Sequence, residues 1–157
     1  LPDADLVYLP GGYPELFARQ LHRRRKMLES LKEYAEAGGK ILAECGGMVF
    51  LGRTLKSKEN VTAYPMSNIL PIDFTMPSVP KLISGYRKMS YQGTEFKGYE
   101  FHYSSILEDD TPNACRITSI TNQKGSENVA SLYRYKNVIA SYTHWYWGEK
   151  DLLKLWL

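Results

Sequence analysis

Hydrophobic residues divide the first fifty positions into short apolar runs and amphipathic stretches. The apolar runs at 5–9 and 41–44 predict two buried strands, and from Pro14 to Tyr34 apolar residues recur near helical spacing. A second helical pattern begins at Met48, directly after the second apolar run. The order strand, helix, strand, helix is typical of a parallel sheet with helical crossovers, so the pattern predicts an α/β fold.

The rest of the chain is dominated by strand patterns. Residues 60–80 contain four prolines and little periodicity, which predicts mostly loop with short extended pieces. Apolar and polar residues then alternate in several segments. The predicted strands are 81–89, 98–104, 115–121, 129–135 and 137–145, with a hairpin loop at 121–126.

Composition places the chain among ordinary globular domains. It has 157 residues, 43% hydrophobic residues and a formal net charge of +3. That charge is too small to favour nucleic acid, and no apolar run approaches the length of a membrane span, so we expect neither as a partner. The two cysteines form neither a disulfide framework nor a metal-ligand spacing. We therefore expect no metal and a reducing, cytoplasmic location. The start without Met and the apolar end predict that residues 1–157 are one domain of a longer polypeptide.

Cys45 occupies the position with the clearest chemical meaning. The second predicted strand stops at Cys45, and Gly46 and Gly47 follow before the next helix. Such a turn would present the thiol at the start of a helix, where a thiolate is favoured. This predicts nucleophilic attack on a carbonyl carbon. The alternative interpretation is a buried structural cysteine, which is how we interpret Cys115.

Two other segments also lie at the ends of predicted strands. Gly11 and Gly12 follow the first strand, and His144 follows the last one. Because the carboxyl ends of parallel strands meet at one edge of a sheet, both segments can approach Cys45. Backbone N–H groups at the glycine turn could bind an oxyanion, and His144 could act as a base. A plain connection and a structural histidine are the alternatives.

A third polar segment lies in the predicted strand 98–104. Glu100, His102 and Ser104 alternate with aromatic residues and therefore share one face. His102 is a second candidate base, and Glu100 is a candidate carboxylate partner. A strand with one polar face is the alternative. The basic run 22–26 is interpreted as a solvated face inside the first helix.

Six segments follow one another in a characteristic order along the chain. They are Leu9-Pro10-Gly11-Gly12-Tyr13-Pro14-Glu15, Glu44-Cys45-Gly46-Gly47, Tyr64-Pro65-Met66, Gly85-Tyr86-Arg87, Glu100-Phe101-His102-Tyr103-Ser104 and Ala140-Ser141-Tyr142-Thr143-His144. Together they resemble the C-terminal glutaminase domain of the cobyrinic acid a,c-diamide synthase family, a group of class I, triad-type glutamine amidotransferases. The resemblance spans nearly the whole chain and implies a three-layer, flavodoxin-like α/β domain with a mostly parallel sheet, here without its first strand.

The resemblance also implies an activity. The domain would hydrolyse glutamine, and its ammonia would pass to an N-terminal ligase domain that uses ATP and Mg to amidate the a and c carboxylates of cobyrinic acid. No cofactor is implied for this domain, which contains no phosphate-loop motif. A homodimer of the full-length enzyme is a further implied partner. The alternatives are the glutaminase domain of a nickel-sirohydrochlorin a,c-diamide synthase, a non-catalytic amidotransferase-like module and a stand-alone cysteine hydrolase.

Carried over by position, Cys45 resembles the nucleophile and His144 the base. Gly12 and Gly46 resemble the donors of the oxyanion hole.

The third member of the triad departs from the pattern of the class. Triad amidotransferases have a glutamate two residues after the histidine, but Tyr146 stands there. The carboxylate that orients His144 therefore stays open, with Glu100 the first candidate and Glu149 the second.

Overall fold

The computed structural model describes residues 3–56, 62–126, 130–148 and 150–156. Within these ranges the chain forms three α-helices, twelve strands and three short 3-10 turns. The helices are α1 (Ala18–His22), α2 (Arg25–Glu36) and α3 (Gly46–Leu51), and the 3-10 turns are Pro14–Leu16, Asn113–Cys115 and Leu152–Trp156. The strands are β1 (Leu6–Leu9), β2 (Lys40–Glu44), β3 (Thr54–Lys56), β4 (Ala63–Pro65), β5 (Ile72–Thr75), β6 (Ile83–Tyr91), β7 (Thr94–His102), β8 (Ser105–Asp109), β9 (Arg116–Asn122), β10 (Ala130–Tyr135), β11 (Val138–Ser141) and β12 (Thr143–Trp145).

Eight strands form the main sheet, in the order β1-β2-β11-β10-β9-β6-β7-β12. β2 lies between β1 and β11 and is parallel to both. The other neighbours in this sheet pair antiparallel. A smaller sheet has the order β4-β3-β5-β8.

The α/β class is confirmed, but the expectation of a mostly parallel sheet is wrong. In the main sheet, only the part built from β1, β2 and β11 is parallel. Parallel pairs need a long crossover, usually a helix, whereas antiparallel pairs need only a tight turn. In the described part of the chain no α-helix follows α3, and β6 and β7 are joined directly through a turn at Gln92 and Gly93.

The predicted first helix is divided into three pieces. A 3-10 turn and α1 precede Arg24, which leaves helical geometry with φ −81° and ψ 49°, and α2 begins at the next residue. The basic run 22–26 therefore spans a helix break and does not lie inside one helix. The break sets the direction of α2, which buries Leu28, Leu31 and Ala35.

Alternating residues of β2 reach two separate cores. Ile41 and Ala43 pack in the core that α2 covers. Leu42 packs on the opposite face with Leu152 and Leu155 from the last 3-10 turn. The three-layer arrangement is therefore present, with a single 3-10 turn as its thin third layer.

The predicted strand 137–145 is two consecutive strands that occupy distant places in the hydrogen-bonded strand order of the sheet. β11 pairs with β2, whereas β12 pairs with β7 at the opposite edge. A 3.0 Å hydrogen bond from the Trp145 backbone N–H to the Glu44 carboxylate connects β12 to β2. This closure brings β7 and β12 beside the carboxyl end of β2. Within the described residues, none of the helices has the length and hydropathy needed to cross a membrane.

Candidate active site

Cys45 lies on a strained turn between β2 and α3. Its backbone has φ 50° and ψ −115°, a conformation that residues other than glycine rarely adopt. The Cys45 N–H donates a 2.8 Å hydrogen bond to the Ser141 carbonyl oxygen, which holds the turn against β11. The thiol is nearly buried and points at the Phe101 carbonyl oxygen, 3.5 Å away. Strain of this kind persists where the surrounding structure enforces it, and it is concentrated at functional sites.

His144 lies beside Cys45. Hydrogen bonding to the Cys45 thiol, followed by the interaction with Glu44, raises the pKa of His144 to about 10. The imidazole is therefore protonated at neutral pH. The predicted approach of the last strand to the cysteine is present.

Glu44 is a residue that the sequence analysis did not single out. Its side chain is 1% exposed, and one carboxylate oxygen lies 3.7 Å from Nδ1 of His144. The same oxygen accepts a 2.7 Å hydrogen bond from the Tyr8 hydroxyl. One signal was available in the sequence, because a glutamate ends an otherwise apolar strand directly before the cysteine.

The glycine turn after β1 contacts both reactive side chains. Gly11 and Gly12 have φ angles of 126° and 110°. A Cβ atom at Gly11 would lie 2.9 Å from Cε1 of His144, and a Cβ atom at Gly46 would overlap the Gly12 carbonyl oxygen. Gly12 and Gly46 are therefore neighbours at the mouth of the site. A cavity of about 370 Å³ adjoins them and is otherwise lined mainly by apolar side chains.

Glu100 and His102 belong to a buried network behind the cysteine. Glu100 accepts hydrogen bonds from Arg87 Nε and, at 2.8 Å, from His102 Nε2. The other ring nitrogen of His102 donates to the Ser104 carbonyl oxygen at 2.7 Å. The ring stacks on Tyr142 with the centroids 3.6 Å apart. Both His102 nitrogens are thus engaged, and Glu100 is paired with Arg87 and His102 rather than with His144.

Of the two other residues raised by the sequence, Glu149 lies outside the described residues. Cys115 is half-buried in the 3-10 turn before β9 and lines a different cavity, of about 270 Å³.

The buried network predicts a large effect on stability. Replacing Glu100 with Ala leaves the Arg87 guanidinium buried without its carboxylate, and losing one member of a buried pair costs about 3–5 kcal/mol. Urea unfolding measures the loss. Glu95→Ala on the same strand is the control, because the Lys88–Glu95 pair is exposed and exposed pairs contribute at most about 1 kcal/mol. Equal losses in both variants would contradict a supporting role for the network.

The geometry defines a class of protein. A cysteine on a strained turn from strand to helix, a histidine beside it and a nearby carboxylate are the groups that thiol-based acyl transfer requires.

The chain belongs to the CobB/CobQ-like glutamine amidotransferase domain family, whose model matches residues 1–152. A cobyrinate a,c-diamide synthase from Methanobrevibacter smithii is 35% identical over 150 residues, covering 92% of this chain and 32% of that protein. A hydrogenobyrinate a,c-diamide synthase from Brucella abortus is 34% identical over 147 residues, covering 90% of this chain and 33% of that protein. The chain therefore spans about a third of the length of these curated relatives.

A solved structure supports the fold. A crystal structure of a glutamine amidotransferase aligns with a TM-score of 0.62 and 15% identity, covering 92% of this chain and 72% of that chain. At this identity the likeness establishes the fold alone.

Proposed function

We propose that this domain hydrolyses glutamine to glutamate and ammonia through Cys45 and His144. The observation that carries the proposal is that the strained turn places Cys45 beside His144, since both side chains border Gly11, and the pKa of His144 is raised to about 10. Membership of an amidotransferase family supports glutamine as the substrate.

In the first half of the proposed reaction, the Cys45 thiolate attacks the carboxamide carbon of glutamine. The backbone N–H groups of Gly12 and Gly46 would receive the developing oxyanion. Gly46 is the first residue of α3, and the first N–H groups of a helix have no partner inside it. His144 gives its proton to the departing nitrogen, so that ammonia leaves and a glutamyl thioester remains.

In the second half, water hydrolyses the thioester. Neutral His144 takes a proton from water, and the resulting hydroxide adds to the thioester carbonyl carbon. Collapse of this intermediate breaks the carbon–sulfur bond and releases glutamate. The thiolate and the protonated imidazole are restored, and the balance is glutamine plus water giving glutamate and ammonia.

We further propose that the ammonia serves an ATP-dependent amidation of the a and c carboxylates of a cobyrinate-type tetrapyrrole. The names of the relatives support this assignment, and their additional length leaves room for a ligase part that would hold ATP and Mg. A homodimer of the full-length protein and a cytoplasmic location belong to the same proposal. The free thiols of Cys45 and Cys115 fit a reducing compartment.

Glutamine hydrolysis should depend on the ligase part. An uncoupled glutaminase would waste glutamine, and the turn at Gly11 and Gly12 can change peptide orientation at little steric cost. We expect slow hydrolysis by this chain alone and faster hydrolysis by the full-length protein with ATP and tetrapyrrole. Glutamate release measures both rates.

The same assay distinguishes the alternatives. Comparing cobyrinic acid with nickel-sirohydrochlorin as acceptors identifies the tetrapyrrole. Full-speed hydrolysis by the isolated chain would contradict coupling and favour a stand-alone hydrolase. No hydrolysis in either form would favour a non-catalytic module and reject the proposed activity.

A further inference from the structure

We propose that Glu44, the residue directly before the nucleophile, is the carboxylate that positions the His144 imidazole. This inference rests on the glutaminase function proposed above. It assigns the third role of the triad to a position different from the glutamate of the His-x-Glu pattern, where this chain has Tyr146.

The first argument is the placement of the carboxylate. Glu44 ends β2 with a side chain that is 1% exposed, so its charge is shielded from water. One carboxylate oxygen lies 3.7 Å from Nδ1 of His144. This distance is an ion-pair contact, and catalytic contacts are often long before substrate binds.

The second argument is that the Glu44 carboxylate is hydrogen-bonded to the strand that carries His144. The other oxygen of Glu44 accepts a 3.0 Å hydrogen bond from the backbone N–H of Trp145, the residue that follows His144. Glu44 is therefore attached to the strand that carries the base, although it belongs to the strand that carries the nucleophile. A shift of the β12 backbone away from the end of β2 would stretch this bond.

The third argument is the support that Tyr8 provides. The Tyr8 hydroxyl donates a 2.7 Å hydrogen bond to the carboxylate oxygen that faces His144. Burial, followed by the interaction with Glu44, raises the pKa of Tyr8 to about 12, so the hydroxyl remains a donor at neutral pH. The Tyr8 ring packs edge-on against Trp147, with the centroids 5.5 Å apart. Two hydrogen bonds, from the Trp145 backbone N–H and the Tyr8 hydroxyl, thus hold the Glu44 carboxylate in place.

Glu100, the other candidate within the described residues, lacks this geometry because it is paired with Arg87 and His102. Among the described residues, the groups that act on the pKa of His144 are Cys45 and Glu44, and the paired strand β7 places Tyr99 opposite His144.

The test measures the charge of His144 without requiring glutamine hydrolysis. In the full-length protein, Cys45 is alkylated with iodoacetate and, separately, with iodoacetamide, and the modified peptide is quantified by mass spectrometry. A cationic ring attracts the anionic reagent, so the rate ratio falls as His144 loses its proton. The pH midpoint of this fall is the readout.

Glu44→Gln should lower this midpoint by about one pH unit or more, because a carboxylate within a few ångströms stabilises the imidazolium. Glu44→Asp keeps the charge, so its pH midpoint should stay closer to that of the protein without a substitution. Glu36→Gln is the matched control, since Glu36 ends α2 before β2 begins. In Glu44→Gln, kcat for glutamine should also fall about tenfold to a hundredfold, while KM changes less than about threefold.

The outcomes separate the two proposals. An unchanged midpoint in Glu44→Gln would overturn the role of Glu44 even in an active glutaminase. A shift in Glu149→Gln instead would assign the role to Glu149. If the unmodified protein hydrolyses no glutamine, the proposed function fails, while the alkylation midpoints still decide whether Glu44 acts on His144.

Discussion

Replacing Cys45 with Ser is expected to abolish glutamine-dependent amidation while amidation from free ammonia continues. The thiolate is the proposed attacking atom, and a serine hydroxyl beside a protonated histidine has no base to activate it. Loss of a nucleophile costs roughly three to six orders of magnitude in turnover. Product formation in the full-length protein, with glutamine and with ammonium salts, measures the effect.

The second cysteine provides the control for this experiment. Cys115 is a free thiol in the 3-10 turn before β9, so Cys115→Ser should retain activity with both nitrogen donors. A glutamine-like electrophile should label Cys45 and leave Cys115 unmodified. Equal loss of both activities in Cys45→Ser would show instead that Cys45 is structural.

Replacing His144 with Ala should lower glutamine turnover by roughly two to four orders of magnitude, the range expected for a lost general acid and base. The ring lies beside Cys45 and interacts with it. Steady-state glutamate release measures the loss. His102→Ala is the comparison, because His102 is bonded to Glu100 and Ser104 instead. A larger loss of turnover in His102→Ala at matched folded fraction would contradict the assignment.

The raised pKa of His144 also predicts a pH-dependent contribution to stability. The pKa is raised from the ordinary 6.5 to about 10, so the folded state holds the proton more tightly than the unfolded state. This contribution is fully present below about pH 6.5 and is lost as the pH rises through about 10. The difference in unfolding free energy between the unmodified protein and His144→Ala should therefore shrink from pH 6 towards pH 10. A constant difference would contradict the pairing.

Local patterns located much of the fold and most of the site. The apolar run that ends at Cys45 and the two glycines after it predicted both the strand and the sharp turn. Gly12 and His144 approach the Cys45 turn as predicted, although His144 lies in the middle of the antiparallel strand β12 and not at the end of a parallel strand. Their roles in catalysis remain predictions that the experiments above address.

The pairing of distant strands could not be read from local patterns. The segment 137–145 looks like one strand, yet β11 and β12 pair with opposite sides of the sheet. Alternation of apolar and polar residues reports which face is buried, but it carries no information about which neighbour a strand will choose. The expectation of a mostly parallel sheet extended the strand-helix order of the first fifty residues, together with the resemblance, to later strands that pair antiparallel.

The sequence by itself determined the α/β class, the strained position of the thiol and the histidine that meets it. Only the tertiary structure decided which carboxylate faces His144. Glu100 shares a strand face with His102 and is neutralised there by Arg87, whereas Glu44 reaches His144 because the sheet brings β12 back beside the end of β2. An ion pair depends on distance in space. Glu44 and His144 are far apart along the chain, and only long-range packing brings them together.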